Sequence, residues 1–358
     1  MNPTHRLRDL GQSIWLDYIS RDLLTSGTLH SYIRDLSVTG LTSNPTIFDK
    51  AISSSSAYDA EIATHAKQGA KAEELFFQLA LADLTKAADL FLPIHHQTSG
   101  VDGWVSLEVS PLLANDPVRT LEAAKDLHAR AKRPNLFIKI PGTPAGLPAI
   151  EEAIFAGVPV NVTLLFSKSQ YQAAAEAYLR GIERRIAAGL PPHVCSVASV
   201  FISRWDGAIA KSAPAELRNQ LGIAVAQEIY QAYRELLNDA RWQRAFNYGA
   251  SMQRLLWAST GTKDPQASDV LYIDGLVSPF TINTMPEATL KAFADHGQPQ
   301  TLLPVWGGDC QAQLARFAAD GIDVHALAHK LQEDGTDLFV KSWHALLACI
   351  EAKTQQLV

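Results

Sequence analysis

Cysteine is scarce in this 358-residue chain, and Cys195, Cys310 and Cys349 are odd in number and far apart. They support neither a disulfide framework nor a zinc motif, which points to reduced thiols in a cytosolic setting. Long apolar runs are missing as well. No span of the roughly 18 apolar residues that a membrane helix needs occurs. The start, MNPTHRLRDLGQSIWLD, lacks the apolar centre of a secretory signal. Basic runs are absent, and a formal net charge of −6 argues against a nucleic-acid surface. No G-x-G-x-x-G follows the first strand candidate. No G-x-x-x-x-G-K-[ST] occurs either, so Gly261-Thr262-Lys263 is not a P-loop. These absences lead us to expect a soluble, cytoplasmic protein that binds neither nucleic acid nor membrane; they leave monomer and homodimer both open.

What is present is material for a large core, with 47% hydrophobic and 19% charged residues. Eight short apolar stretches alternate with helical ones. The strand candidates are Ser13 to Ile19, Val38 to Pro45, Gly103 to Pro111, Asn135 to Pro141, Val158 to Phe166, Cys195 to Ser203, Arg254 to Thr260, and one within Leu271 to Ser278. Helical spacing marks residues 21–36, 57–67, 71–91, 117–132, 144–156, 168–188, 214–238 and 286–295. The expected fold is a parallel α/β (β/α)8 TIM barrel, one domain over residues 1–358. It carries extra helices after the second strand and a helical C-terminal appendage over 298–358. A doubly wound open sheet is the runner-up. It could not bring polar groups from seven strands to one place, whereas a closed sheet can.

The chain centres on Lys139 in the stretch NLFIKIPGT. A lysine in so apolar a strand is costly to keep charged when buried, and a neutral amine can form a Schiff base with a ketone or aldehyde. The stretch alone also allows a snorkelling lysine with its head in water. Other strands carry Asp17, Asn44, Glu108, Asn161 with Thr163, Ser199 and Ser259 in or just beyond them. Each has an ordinary explanation by itself, such as a turn, a salt bridge or an internal hydrogen bond. Gathered at strand ends around one lysine, they make an acid/base and carbonyl-handling set.

WLDYISR, VTGLTSNPTIF, VSLEVSP, LFIKIPGT, VNVTLLFS, ASVFISRWD, LLWASTGTKDP and TINTMPEATL resemble, in order, the strand motifs of the transaldolase family, in its longer bacterial branch. The resemblance runs from about Gly11 to Leu290. It implies a class I, Schiff-base transferase of the pentose phosphate pathway. Such an enzyme moves a dihydroxyacetone unit from sedoheptulose 7-phosphate to glyceraldehyde 3-phosphate, giving erythrose 4-phosphate and fructose 6-phosphate. It implies Lys139 as the Schiff-base lysine and Asp17 as the acid/base at the hydroxyl beside the scissile bond. Glu108 and Thr163 would hold the proton-moving water. Asn44 and Asn161 would bind hydroxyls of the three-carbon unit, and Ser199 and Phe201 would shape its pocket. Arg204 and Ser259 would contact phosphate. Gly261 stands where much of the family has an arginine, and Lys263 is the expected substitute. Fructose-6-phosphate aldolases, the close relatives that release their three-carbon unit, tend to carry a neutral residue where this chain has Glu108.

The partners implied are phosphorylated sugars, and the chemistry calls for no cofactor. His95 and His96 are neighbours that would point apart on a regular strand, so no metal site is expected of them. Cys195 reads as packing.

Overall fold

The computed structural model describes residues 2–357. Eight short strands form the sheet: β1 Gln12–Asp17, β2 Val38–Thr42, β3 Trp104–Glu108, β4 Leu136–Pro141, β5 Val160–Leu165, β6 Ser196–Phe201, β7 Gln253–Ala258 and β8 Thr281–Met285. They pair parallel in sequence order, and β1 also pairs β8, which closes the barrel. Helices fill the crossovers, so the sheet is covered outside and packed within, a (β/α)8 architecture.

Register decides what meets what. Glu108 lies opposite Lys139, and Lys139 opposite Asn161. Pro141 pairs with Thr163, and Asp17 with Thr42. Because side chains alternate, every second residue of a strand faces the interior. Lower in the barrel the same parity stacks Trp15, Trp104, Phe137, Val197, Leu256 and Ile282 into an apolar floor. Trp104 and Phe137 stack with ring centres 4.0 Å apart. Gly40 belongs to this layer for a steric reason, since a Cβ there would sit 2.5 Å from the Trp15 indole. Beneath the floor, Asp102 accepts from Trp15 Nε1 at 2.7 Å and Thr39 Oγ1 at 2.8 Å, and lies 3.7 Å from Arg254. A buried carboxylate is held there by a full set of donors.

Three departures from sequence expectation have local causes. The run Leu271 to Ser278 is not the last strand. It holds the short helix Leu271–Asp274, and β8 lies further on at Thr281–Met285. Tyr272, Ile273, Leu276 and Val277 are buried, so apolarity marked the segment as internal without telling strand from helical turn. Residues 214–238 are not one helix. A 3-10 turn, Ala215–Leu217, precedes Leu221–Asn238, and Asn219 between them takes φ 60. The buried Asp206 carboxylate starts the second piece by accepting from the Leu221 and Gly222 amides at 3.0 and 3.1 Å. His95 and His96 are not on a strand; they sit in the last turn of the helix Ala72–Gln97.

The C-terminal segment packs over the barrel. Its last helix, Val324–Leu357, crosses the C-terminal mouth of the barrel. Gln332 donates to the Gly142 and Leu164 carbonyls at 3.1 and 2.9 Å, tying the helix to the ends of β4 and β5. Trp343 meets Phe76 edge-on at 5.0 Å, and Phe76 meets Phe48 at 5.3 Å. The extra helices after β2 and the tail helix therefore share one aromatic seam. Lys353 adds an ion pair to Asp59 at 2.6 Å. No helix among the described residues is long and apolar enough to cross a membrane.

Candidate active site

Lys139 stands near the C-terminal end of β4, where Pro141 and Gly142 end the strand. It is 5% exposed. Its Nζ donates to the Ser43 carbonyl at 3.1 Å and lies 3.8 Å from Glu108 Oε2. Glu108 is equally buried, and neither of its carboxyl oxygens has a hydrogen-bond partner among the described residues. Burial pushes this carboxyl up to about 7. The Lys139 charge pulls it back and the Asp17 charge pushes it further. Thr163 Oγ1, facing inward from β5, is buried and also without a protein partner.

Asp17 ends β1 and is half-buried. Thr42 Oγ1 donates to its Oδ1 at 2.8 Å, and Thr42 and Thr284 share a hydroxyl contact at 3.0 Å. Burial raises the Asp17 carboxyl above its ordinary range, opposed by Lys139, the Thr42 hydrogen bond and Lys263. Two carboxyl groups thus approach one lysine from different strands, one bonded to a hydroxyl and one to nothing.

These groups surround a cavity of about 360 Å3 lined by Asp17, Asn44, Lys139, Thr163 and Ser199, with Thr42 and Thr284 in its wall. Asn44 caps the helix Pro45–Ser54 through Oδ1, which accepts from the Ile47 amide at 3.0 Å; its amide nitrogen remains for a ligand. Asn161 and Glu108 are not on the cavity surface. Asn161 accepts from Ser199 at 2.7 Å and donates to Ser106 at 3.1 Å, so it is reached through Ser199. Glu108 is reached past Lys139. Phe201, at the end of β6, forms a wall and packs on Phe166 with ring centres 5.5 Å apart.

Cations rim the opening. Arg204 and Lys263 line it on the β6–β7 side, and Lys50 lines it from the helix after β2. Among the described residues none of the three has an ion-pair partner. Ser259, beside them, holds φ 54, a left-handed conformation that a serine adopts only when its surroundings enforce it. Here they do: Ser203 bonds the Ser259 hydroxyl at 2.9 Å and carbonyl at 3.0 Å, and Thr260 bonds the Thr284 carbonyl at 2.9 Å. A pocket with an amine, a carboxyl on its surface, a second carboxyl behind the amine and a cationic rim suits an anionic carbonyl compound.

A family profile described as Transaldolase/Fructose-6-phosphate aldolase matches residues 14–350. The chain belongs to this family. Proteins named Transaldolase resemble it along nearly their whole length. The one from Neisseria gonorrhoeae is 43% identical over 343 residues, 96% of this chain and 97% of that protein. The one from Thermobifida fusca is 43% identical over 356 residues, 97% and 96% of the two chains. The one from Mycobacterium bovis is 44% identical over 348 residues, 94% and 93%.

Within this transaldolase/aldolase framework the structure brings Asp17, Asn44, Glu108, Lys139, Asn161, Thr163, Ser199, Phe201, Arg204, Ser259 and Lys263 to one end of the barrel. Sequence reading missed Thr42, Thr284, Lys50 and the place of the expected tail helix, whose Leu338, Phe339 and Ser342 form part of the wall. Thr42 stands two positions before Asn44, but a threonine in a strand carries no signal of its own. Lys50 lies one turn beyond Thr46 on a helix face that carried no signal. The tail helix has no motif at all; only packing places it.

Proposed function

We propose that this protein is a transaldolase that works through a Schiff base on Lys139, moving a dihydroxyacetone unit between phosphorylated sugars. Sedoheptulose 7-phosphate would be the donor and glyceraldehyde 3-phosphate the acceptor. The observation that carries this reading is the buried Lys139 amine, which lies 3.8 Å from Glu108 behind it and lines one cavity with the Asp17 carboxyl.

The roles are those the family resemblance implies, and the positions of the residues are compatible with them. Ionised Glu108 takes the first proton of the Lys139 ammonium through a water held with Thr163, which leaves a nucleophilic amine. The amine adds to the ketose carbonyl. Glu108 then returns the proton, and the former carbonyl oxygen leaves as water. Asp17 takes the proton of the hydroxyl next to the scissile bond. As that carbon–carbon bond breaks, its electron pair flows into the protonated imine and an aldose phosphate departs. The incoming aldehyde runs the same steps backwards. Asn44 and Ser199, with Asn161 behind it, orient hydroxyls of the three-carbon unit. Arg204, Ser259 and Lys263 hold the phosphate. The tail helix and Phe201 keep water from the carbanion equivalent. We place this activity in the cytoplasm, in a single barrel domain that includes the tail helix.

A fructose-6-phosphate aldolase is the second reading, and Glu108 disfavours it. Borohydride reduction in the presence of fructose 6-phosphate, followed by peptide mass spectrometry, is expected to leave a three-carbon adduct on Lys139 and none in Lys139→Ala. An unmodified Lys139 in the native protein would sink the Schiff-base reading. Glyceraldehyde 3-phosphate released from fructose 6-phosphate is expected to be fast only with erythrose 4-phosphate present; equal rates without it would favour the aldolase.

A further inference from the structure

We propose that the backbone carbonyl of Ser43 accepts the N–H of the Lys139 imine and keeps that nitrogen protonated while the carbon–carbon bond breaks and reforms. This inference rests on the Schiff-base chemistry proposed above. It puts Ser43 in direct contact with the reacting nitrogen.

Lys139 Nζ lies 3.1 Å from the Ser43 oxygen, within hydrogen-bond distance, and 3.8 Å from Glu108 Oε2, beyond it. Ser43, like Lys139, is buried. Its carbonyl can turn to the barrel interior because the sheet opens there. β2 and β3 are in register only at Gly40 with Trp104 and Leu41 with Val105. Past that point the Ser43 hydroxyl bridges the strands, donating to the Ser106 carbonyl at 2.8 Å. Ser106 is itself held, since its hydroxyl accepts from Asn161 at 3.1 Å. The other side of the Ser43–Asn44 peptide is fixed by Asn44, extended as the residue before Pro45 and capping the helix that follows. One peptide plane is thus clamped from β3 and from a helix, with its oxygen toward β4.

The two acceptors near Nζ differ in kind. An imine nitrogen carries a single N–H, and only the protonated form draws in the electron pair of the scissile bond. A carboxylate bonded directly to that proton could remove it and disarm the electron sink. An amide carbonyl accepts the hydrogen bond without taking the proton. Glu108 therefore moves protons through water, and Ser43 keeps one in place. A bond to a charged donor is stronger than one to a neutral donor, so the carbonyl favours the charged imine.

The electron count is simple. On cleavage the pair of the carbon–carbon bond becomes the enamine double bond, and the imine π pair returns to nitrogen. The N–H stays on nitrogen throughout. Attack of the enamine carbon on the acceptor aldehyde reverses these shifts, and Asp17 protonates the new alkoxide.

Ser43–Asn44 is the only Ser-Asn dipeptide in the chain. Protein made with carbonyl-labelled 13C serine and 15N asparagine therefore gives one coupled carbonyl signal, that of Ser43. Lys139→Met, which lacks the donor, should show this signal upfield of its native position. In the native protein given fructose 6-phosphate and no acceptor, the signal is expected to stay downfield. A move to the Lys139→Met position while the borohydride adduct forms on Lys139 overturns the proposal. A missing adduct refutes the underlying reaction instead. Ser43→Ala unties the carbonyl and should lower kcat about tenfold, with KM within about twofold and the loss deepening toward alkaline pH. Ser43→Thr keeps the hydroxyl and should restore both kcat and its pH dependence. A folded Ser43→Ala with native kcat at every pH also overturns the proposal.

Discussion

At the residue scale the chemistry turns on where protons sit. Glu108 titrates near 4.5 when unfolded and at about 7 in the fold, because burial disfavours its charge. Between those values the folded state binds more protons, so folding stability falls as pH rises across that window. Glu108→Gln removes the slope. The variant is therefore expected to melt at least as high as the native protein at pH 8 while remaining impaired in turnover. If Glu108 must be ionised to relieve the Lys139 ammonium, kcat/KM climbs as pH rises through about 7. A pH profile of the variant without that limb would support the role; an unchanged limb would assign it to another group. Lys263 is a point charge where a forked guanidinium would give two bonds. Lys263→Gln should raise KM for phosphorylated acceptors more than it lowers kcat; an effect on kcat alone would place Lys263 with the reacting atoms. Lys139, Asp17 and Glu108 were legible in the sequence because a charged residue in an apolar strand is a local anomaly. Thr42, Thr284 and Lys50 were not, since threonine is ordinary in strands and lysine ordinary on helices.

At the element scale the tail helix is the part that packing alone explains. Gln332 satisfies two carbonyls at the ends of β4 and β5, one of them on Leu164, whose φ of 59 is unusual for a residue with a Cβ. Leu164 follows Thr163 directly, so the helix steadies the strand end that presents the Thr163 hydroxyl. Gln332→Met leaves both carbonyls without that donor in a buried setting and should cost about 1–3 kcal/mol. Hydrogen exchange is expected to speed up over residues 324–357 and at the end of β5 before it does elsewhere. Uniform exchange changes over the whole barrel would instead make Gln332 an ordinary core residue. The strand mistaken within Leu271 to Ser278 belongs to this scale too. A short apolar run is compatible with either a buried helical turn or a strand, and only pairing with β1 and β7 singled out Thr281–Met285.

For the whole molecule, two ends of one barrel divide the labour. The C-terminal end carries the cavity, the carboxyls and the cations, while the N-terminal end carries the aromatic floor and the Asp102–Arg254 pair. Removing one partner of a buried pair strands the other charge. Asp102→Ala should therefore destabilise the protein by about 3–5 kcal/mol, read by denaturant unfolding, with turnover per folded molecule kept. Loss of turnover in the fully folded variant would show that the floor sets the geometry of the site. The sequence by itself determined the class of fold and which polar side chains gather at the C-terminal end of the barrel. Strand periodicity specifies which side chains face inward, and charged residues at inward positions are too costly to be incidental. Only the tertiary structure decided which carboxyl lies 3.8 Å from the lysine, that Asn161 sits behind Ser199, and that the last helix roofs the mouth. Those depend on barrel register and on side-chain packing between segments some two hundred residues apart, which no local pattern encodes.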